Sequence, residues 1–236
     1  MADSALPVLV FDLDDTLYEE LTYVHSGFRA VAELLAARFG ASAEELTAEM
    51  IREEAEHGRG AVFDAVMRRR GWFSQNLRQQ CLTAYRGHAP TLQLHPDAER
   101  CLQRFAAYPL YVLTDGNKLV QARKAAAMGL FERVRHVYVT HRYGLHRAKP
   151  DPELFRRIAR REGVPAGQVV YVGDNVRKDF VGIRPLGFRT IRVRRGNYAH
   201  YVPATPGHEA DVQIDSLDEL TPELLHQLTA TPAQAE

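Results

Sequence analysis

The segment VLVFDLDDTL, residues 8–17, is the strongest indication of the fold in this chain. It opens with four apolar residues, Val8–Phe11, two of them β-branched, and this run predicts a strand buried on both faces. Such strands belong to parallel sheets flanked by helices, where ligands bind outside the carboxyl ends of the strands. Asp12 and Asp14 fall at that end. The segment therefore predicts an α/β fold with a functional site after its first strand.

The acids Asp12 and Asp14 indicate chemistry at this strand end. Because they are two positions apart, their side chains leave an extended chain on the same side. Carboxylates so close repel each other unless a cation or a shared proton offsets their charge. A divalent metal does so, and an oxygen-only set of ligands favours magnesium. The alternative is that these acids merely begin a turn, where aspartate is common.

A second strand, turn and helix lie near the middle of the chain. The apolar run Leu110–Leu113 ends in Thr114, Asp115 and Gly116, and a helical pattern covers residues 118–128. A hydroxyl group and glycine-adjacent backbone amides ahead of a helix N-terminus are suited to hold a phosphate. This turn is therefore a candidate phosphate-binding site.

A third apolar run, Val169–Val172, repeats the carboxylate pattern. Asp174 follows it, and Asp179 lies five positions later within a predicted helix. Ahead of this run Lys149 precedes Pro150, which restricts the lysine to an extended backbone. A lysine and further carboxylates are therefore expected at the same edge of the sheet.

These four segments, in this order, resemble the motifs of the haloacid dehalogenase superfamily. The matches are residues 12–17 for the first motif, Thr114 for the second, Lys149 for the third, and Gly173 and Asp174 with Asp179 for the fourth. The resemblance covers about residues 8 to 214. It implies a Rossmann-like, doubly wound parallel sheet with an inserted α-helical cap domain.

The resemblance also implies catalytic roles. In the family's phosphatases the residue matched by Asp12 attacks phosphorus and forms an aspartyl-phosphate, while the residue matched by Asp14 protonates the leaving alkoxide and then activates water. Dehalogenase members lack this second acid, because a halide leaves without a proton. Asp14 therefore favours phosphoryl transfer. Lys149 is the third implied catalytic residue.

The same resemblance implies the binding groups. Magnesium is expected among the Asp12 carboxylate, the Asp14 backbone carbonyl and the Asp174 carboxylate, and Asp179 is expected to help hold the metal's waters or the lysine.

The phosphate is expected on Thr114, the backbone around Asp115 and Gly116, and Lys149. Magnesium would reduce the repulsion between the anionic nucleophile and the anionic substrate.

The spacing of the motifs predicts the domain organisation. Asp12 and Thr114 are 102 residues apart, far more than a simple crossover between strands requires. The intervening chain consists of consecutive helical patterns, one of them opened by a capping box at Ser42. We expect a helical cap domain over residues 18–92, inserted into a core domain formed by residues 1–17 and 93–236.

Composition limits the partners and the location. Thirty basic and thirty acidic residues give a formal net charge of zero, so no global field favours nucleic acid or an anionic membrane. The cysteines, Cys81 and Cys101, lie in helical patterns, which is typical of a reduced intracellular protein. Met1–Pro7 carries no basic signal region, and the apolar runs are too short to span a bilayer. We expect a cytoplasmic monomer or homodimer that acts on a small molecule.

Three functions are compatible with these residues. The first is a magnesium-dependent phosphatase acting on a small phosphorylated metabolite, of the sugar phosphate or nucleotide class. The second is a phosphomutase of the same fold, which would share the active-site residues and differ in its product. The third is a binding or regulatory protein without turnover, against which all five expected charged groups are present: Asp12, Asp14, Lys149, Asp174 and Asp179. Substrate identity is left open, because specificity is not encoded in the fold.

Overall fold

A computed structural model describes residues 6–230 of the chain. Within them, six strands form one sheet in the order β3-β2-β1-β4-β5-β6, and all neighbouring strands run parallel. The strands are β1 (Val8–Phe11), β2 (Leu110–Thr114), β3 (His136–Val139), β4 (Val169–Gly173), β5 (Arg189–Val193) and β6 (Val212–Ile214). This is the doubly wound α/β architecture that the sequence predicts. The outer ends of the predicted core domain, residues 1–5 and 231–236, lie outside the described residues.

Eight α-helices accompany the strands in the same residues, 6–230. They are α1 (Glu20–Phe39), α2 (Ala43–His57), α3 (Val62–Arg69), α4 (Gln75–Gly87), α5 (Pro96–Arg104), α6 (Lys118–Ala127), α7 (Glu153–Glu162) and α8 (Pro222–Ala230). Within residues 6–230, no helix has the combination of length and hydrophobicity that a membrane span requires.

The strand order places the first strand at the centre of the sheet. β1 pairs with β2 on one side and with β4 on the other, with Phe11 opposite both Val112 and Val172. The chain thus reverses its winding direction between β1 and β4, and such a switch point is where open α/β sheets bind ligands. Every residue of β1, β2 and β4 is buried, as their apolar sequences predict.

The described chain divides into two compact units. One contains the residues up to Glu20 together with Gln93 onward, and the other contains Leu21–Leu92. The second unit consists of α1 to α4 with its own apolar core, to which Phe28, Val31 and Leu35 contribute from one face of α1. Their spacing of three and four positions is the helical pattern read from the sequence. We refer to this second unit as the helical unit.

Side-chain caps define several helix starts. Ser42 accepts a hydrogen bond from the backbone N–H of Glu45 at 3.2 Å, and Ser74 accepts one from Leu77 at 3.2 Å. Asp151 accepts from the backbone N–H of Glu153 at 3.0 Å, at the first residue of α7. These contacts satisfy backbone donors that lack partners within the helix.

The structure corrects the sequence prediction at three places. β3, whose apolar run is only Val137–Val139, was not predicted, because so short a run does not distinguish strand from loop. The helical pattern that begins after His95 extends to Ala107 in the sequence, whereas α5 ends at Arg104. The predicted helix containing Asp179 is a series of turns, in which the Asn175 side chain accepts the backbone N–H of Arg177 at 3.1 Å. Such local side-chain bonds compete with helix formation.

The Asp97 carboxylate ties the start of α5 to two later loops. It pairs with the Arg195 guanidinium and accepts hydrogen bonds from Ser216 Oγ at 2.9 Å and the Leu217 backbone N–H at 2.8 Å. Burial alone would raise the pKa of Asp97, but these donors outweigh burial and lower it well below its usual value. The stability that Asp97 provides is therefore present above pH 4 and is lost as the pH falls below that value.

Asp97→Asn is expected to lower the free energy of unfolding by about 2 kcal/mol at pH 7, because it weakens charge-assisted hydrogen bonds and leaves Arg195 without its anion. The difference from wild type should shrink toward pH 2. Urea unfolding at both pH values measures it. The control is Asp215→Asn, in which an exposed carboxylate that also pairs with an arginine, Arg194, is neutralised. A loss as large in the control would contradict this role for Asp97.

Candidate active site at the carboxyl edge of the sheet

Asp12 lies directly after β1 with its carboxylate buried. Its backbone N–H donates to the Val172 carbonyl at 2.8 Å, so the pairing of β1 with β4 continues up to the site. Lys149 Nζ lies 3.0 Å from Asp12 Oδ1 and 2.8 Å from Asp179 Oδ1, and it donates a 2.8 Å hydrogen bond to the Tyr171 hydroxyl. The lysine thus bridges the ends of β1 and the loop after β4.

Asp174 and Asp179 complete a cluster of carboxylates with Asp12. One oxygen from each of the three lies within 4.8 Å of the others, and all three side chains are buried. Thr16 Oγ1 is 3.5 Å from Asp174 Oδ1, and Asp179 Oδ2 accepts the Asn175 backbone N–H at 2.9 Å. A cation or a shared proton offsets the repulsion among buried carboxylates at this spacing, and their oxygen atoms could hold a hard divalent cation.

The charge of this cluster is only partly compensated. Burial, followed by repulsion from Asp179 and Asp12, raises the pKa of Asp174 to about 9. Burial also raises the pKa of Asp12 to about 7, although Lys149 acts in the opposite direction. Burial would lower the pKa of Lys149, but Asp12 and Asp179 outweigh it and raise that pKa well above its usual value. Lys149 therefore places one positive charge against the three carboxylates of the cluster.

Gly173 allows the carboxylates to converge. A Cβ atom at this position would overlap Asp179 Oδ2 and would lie 3.1 Å from the Tyr171 ring. Side-chain carbon atoms do not approach that closely, so any larger residue would displace the carboxylate. The glycine between β4 and Asp174 is thus required by packing rather than by backbone conformation.

The turn after β2 presents the predicted phosphate-binding groups. Thr114 is buried at the end of the strand, and its Oγ1 accepts a 2.7 Å hydrogen bond from Gln121 Nε2. Gly116 has φ +130°, a conformation that other residues rarely adopt. Asn117 caps α6 by accepting the backbone N–H groups of Leu119 and Val120. The turn therefore leads directly into a helix N-terminus, which favours an anion.

The Asp115 carboxylate joins this turn to the lysines. Its Oδ1 accepts from Thr140 Oγ1 at 2.9 Å and from the Lys149 backbone N–H at 3.1 Å. Its Oδ2 pairs with Lys178 Nζ at 2.9 Å. Burial would raise the pKa of Asp115, but Lys149 and Lys178 outweigh burial and lower it. This carboxylate is therefore ionised, and it positions the Lys149 backbone.

Asp14 has a different set of partners from Asp12. Its carboxylate pairs with Lys124 Nζ at 2.7 Å and accepts hydrogen bonds from the Tyr18 hydroxyl at 2.5 Å and Gln121 Nε2 at 2.8 Å. Burial would raise its pKa, but Lys124 and these hydrogen bonds lower it. Because Gln121 also donates to Thr114, one amide group connects the proposed acid–base residue with the proposed phosphate-binding hydroxyl.

The structure thus gathers the residues predicted from the sequence into two adjoining groups. Asp12, Lys149, Asp174 and Asp179 form one, and Asp14 with Thr114 forms the other. Sequence reasoning missed Gln121, Lys124 and Lys178.

A signal for two of these was available. Gln121 and Lys124 are three apart on α6, so they share the helix face that approaches the strand ends. Lys178 carried no comparable signal, since it lies in a segment that was read as helix.

Comparison with known proteins identifies similar enzymes. The sequence profile of the haloacid dehalogenase-like hydrolases matches residues 6–187. The glyceraldehyde 3-phosphate phosphatase of Methanopyrus kandleri is 30% identical over 91% of this chain and 95% of its own length. The phosphoserine phosphatase of Thermus thermophilus is 28% identical over 91% of this chain and 98% of its own. Both alignments extend across the helical unit and the sheet-containing unit.

The fold itself is shared with enzymes of a different activity. The crystal structure of a 2-haloacid dehalogenase from Pseudomonas syringae superposes with a TM-score of 0.61 at 24% identity, covering 94% of this chain and 99% of the dehalogenase. The fold therefore does not separate dehalogenation from phosphate ester hydrolysis, and the site residues must do so.

Proposed function

This chain belongs to the haloacid dehalogenase-like hydrolases, and we propose that it hydrolyses phosphomonoesters as a magnesium-dependent phosphatase of small metabolites. The observation that carries this proposal is the Asp12 carboxylate, buried beside Asp174 and Asp179 and paired with Lys149. Asp14, two residues further on, supplies the proton-transfer group that a phosphatase needs. Together they support phosphoryl transfer through an aspartyl-phosphate.

In the first step, a carboxylate oxygen of Asp12 attacks phosphorus, and the bond between phosphorus and the ester oxygen breaks. Lys149 stays paired with Asp12 and Asp179 and balances charge at the attacking carboxylate. Thr114 and the amides of the turn after β2 hold phosphate oxygens. The departing alkoxide takes its proton from Asp14, since alkoxides are poor leaving groups at neutral pH.

In the second step, a water molecule attacks the phosphorus of the aspartyl-phosphate, Asp14 accepts the water's proton, and inorganic phosphate leaves with Asp12 restored. The structure holds Asp14 as a carboxylate with three donors, which is the form that this second step uses. The first step requires a protonated Asp14. We therefore propose that Asp14 gives up at least one of these donors when it acts as the acid.

The metal site is proposed on the Asp12 and Asp174 carboxylates and the Asp14 backbone carbonyl, with Asp179 supporting the Lys149 ammonium. Carboxylates whose pKa values are raised by burial and by mutual repulsion fit a hard divalent cation. A bound magnesium would supply charge neutralisation between the nucleophile and the phosphate.

The names of the relatives narrow the proposed substrate. Glyceraldehyde 3-phosphate and phosphoserine are both phosphate esters of three-carbon compounds. We propose a substrate of this size for the present chain, in place of the broader choice between sugar phosphates and nucleotides. We also propose that it acts in the cytoplasm as a monomer or homodimer without nucleic acid, which the buried free thiols of Cys81 and Cys101 and the balanced charge support.

A substrate screen tests the proposed function. Purified protein with magnesium is incubated with three-carbon, sugar and nucleotide monophosphates, and released phosphate and the organic product are both measured. We expect phosphate release to be fastest with a three-carbon ester. A rearranged phosphorylated product without phosphate release would identify a phosphomutase instead. The absence of turnover on every substrate, p-nitrophenyl phosphate included, would contradict the proposal.

Asp14→Asn is expected to slow hydrolysis of alkyl phosphates by about 10² to 10⁴-fold and to slow the phosphorylation step of p-nitrophenyl phosphate much less. The reason is that p-nitrophenolate leaves without protonation. Single-turnover measurement of alcohol or phenol release isolates this step. An equal loss of the phosphorylation step on both substrates would argue against Asp14 as the acid.

A further inference from the structure

Lys178 lies in the turns between Asp174 and Asp179, and none of the four motifs includes it. Its ammonium group pairs with Asp115 Oδ2 at 2.9 Å, and about one third of its side chain is exposed. Asp115 belongs to the turn after β2, whose backbone is proposed to bind phosphate. The lysine head group therefore lies at the phosphate-binding turn, while its side chain reaches solvent.

Lys178 can leave its ion pair with Asp115 without depriving that carboxylate of all its hydrogen-bond donors. The other oxygen of Asp115 already accepts two hydrogen bonds, from Thr140 Oγ1 and from the Lys149 backbone N–H. Asp115 therefore remains hydrogen-bonded if the lysine leaves. A buried carboxylate with no other donor would not permit this exchange.

The other two lysines of the site cannot leave their carboxylate partners in this way. Lys149 is buried between two carboxylates, Asp12 and Asp179, and its departure would leave both uncompensated. Lys124 is buried against the Asp14 carboxylate. A phosphomonoester brings up to two negative charges into this region. Among the three lysines, Lys178 is the one that combines a partly exposed side chain with a partner that has other donors.

We infer that Lys178 is a phosphate-binding residue, which exchanges its ion pair with Asp115 for an oxygen of the substrate's phosphoryl group. The inference rests on the proposed phosphatase function and adds a second cation, besides Lys149, to the phosphate site. Its role is in binding: it raises affinity for phosphomonoesters and for inorganic phosphate, and it takes no part in proton transfer.

Substitutions on the two sides of the ion pair separate this role from a structural one. Lys178→Met should raise KM for the phosphomonoester and the inhibition constant of inorganic phosphate about tenfold, with a smaller change in kcat. Lys178→Arg should retain most of the affinity. Asp115→Asn keeps the backbone amide of the turn and an oxygen that can accept from Thr140 and the Lys149 backbone N–H. It also releases Lys178, so any loss of phosphate affinity should be smaller than in Lys178→Met. If Lys178 only held Asp115 in place, both neutralising substitutions would weaken phosphate binding alike.

The experiment measures steady-state kinetics and inhibition by inorganic phosphate, with magnesium present, for these variants and for Arg177→Met. Arg177 is the exposed neighbour on the same turns, so its substitution removes an equal charge and controls for long-range attraction. Phosphate-induced shifts in melting temperature provide a readout independent of turnover. If Lys178→Met does not fold, Lys178→Gln replaces it in the same comparison.

Two outcomes would overturn the inference. One is phosphate inhibition of Lys178→Met equal to that of Arg177→Met. The other is equal weakening in Lys178→Met and Asp115→Asn. Failure of the proposed function itself has a different signature, because wild type would then release no more phosphate than Asp12→Asn, and it would remove this inference as well.

Discussion

Asp12→Asn is expected to reduce phosphate release by about four orders of magnitude or more, because the substitution removes the attacking carboxylate and adds no bulk. The protein should remain folded. Asp12 is buried beside two other carboxylates, and burial raises its pKa to about 7, so its charge opposes folding of the metal-free protein. Neutralising it should leave the melting temperature without magnesium unchanged or higher.

Asp15→Asn is the matched control for this result. Asp15 lies three residues later, accepts the Glu20 backbone N–H at 3.0 Å and has φ +51°, which asparagine tolerates. We expect less than a tenfold change in turnover. Phosphate release, electrophoretic detection of the acyl-phosphate and melting temperature are measured for both variants. Near wild-type turnover in Asp12→Asn would exclude the covalent mechanism proposed here.

Asp174→Asn is expected to abolish most of the stabilisation that magnesium gives the wild-type protein. In wild type, a cation at one hundred times its dissociation constant should raise the free energy of unfolding by about 3 kcal/mol through mass action. The variant lacks one of the proposed carboxylate ligands, and its metal-free form has less repulsion among Asp12, Asp174 and Asp179. Its metal-free melting temperature should therefore equal or exceed that of wild type at pH 8.

The effect of magnesium should depend on pH in a defined direction. The pKa of Asp174 is raised to about 9 by burial and by its neighbouring carboxylates, from an ordinary value near 4. Between these values the folded metal-free protein holds protons that the unfolded chain has released, so its stability falls as pH rises. Magnesium displaces those protons and binds better as pH rises. Its stabilisation should be larger at pH 8 than at pH 6.

A melting-temperature series measures these effects. Wild type, Asp174→Asn and the exposed control Asp215→Asn are compared without addition, with magnesium, with beryllium fluoride, and with both. Beryllium fluoride stands in for a phosphoryl group on Asp12, so it should stabilise wild type only when magnesium is present. Stabilisation by the fluoride alone, or an unchanged magnesium effect in Asp174→Asn, would remove the basis for this metal site.

Much of the sheet and of the proposed site was accessible from the sequence because the information is local. The apolar run Val8–Phe11 and the acids that follow it are covalent neighbours, so the strand and the position of Asp12 at its end follow from one segment. The same holds for Thr114 after β2 and Asp174 after β4. Parallel strands then bring the three ends to one edge.

The side-chain partners within the site were decided by tertiary structure. Gln121 and Lys124 reach Asp14 across 107 and 110 residues of sequence. The periodicity of α6 shows that they share a helix face, but the direction of that face depends on how the helix packs against the sheet. The lowered pKa of Asp14 follows from these contacts, and its neighbour Asp12, with the same side chain, has a raised pKa.

Hydrophobic period and turn chemistry are properties of adjacent residues. They were therefore sufficient to predict the parallel α/β class, the helical insertion between the first two strands and the order of charged residues at the strand ends. The formation of β3 and the turns after Asp174 became visible in the folded chain alone. The tertiary structure also decided that Lys178 meets Asp115. Those outcomes depend on the register of the strands and on whether long-range hydrogen bonds are more stable than local ones. Neighbouring residues in the sequence do not encode this balance.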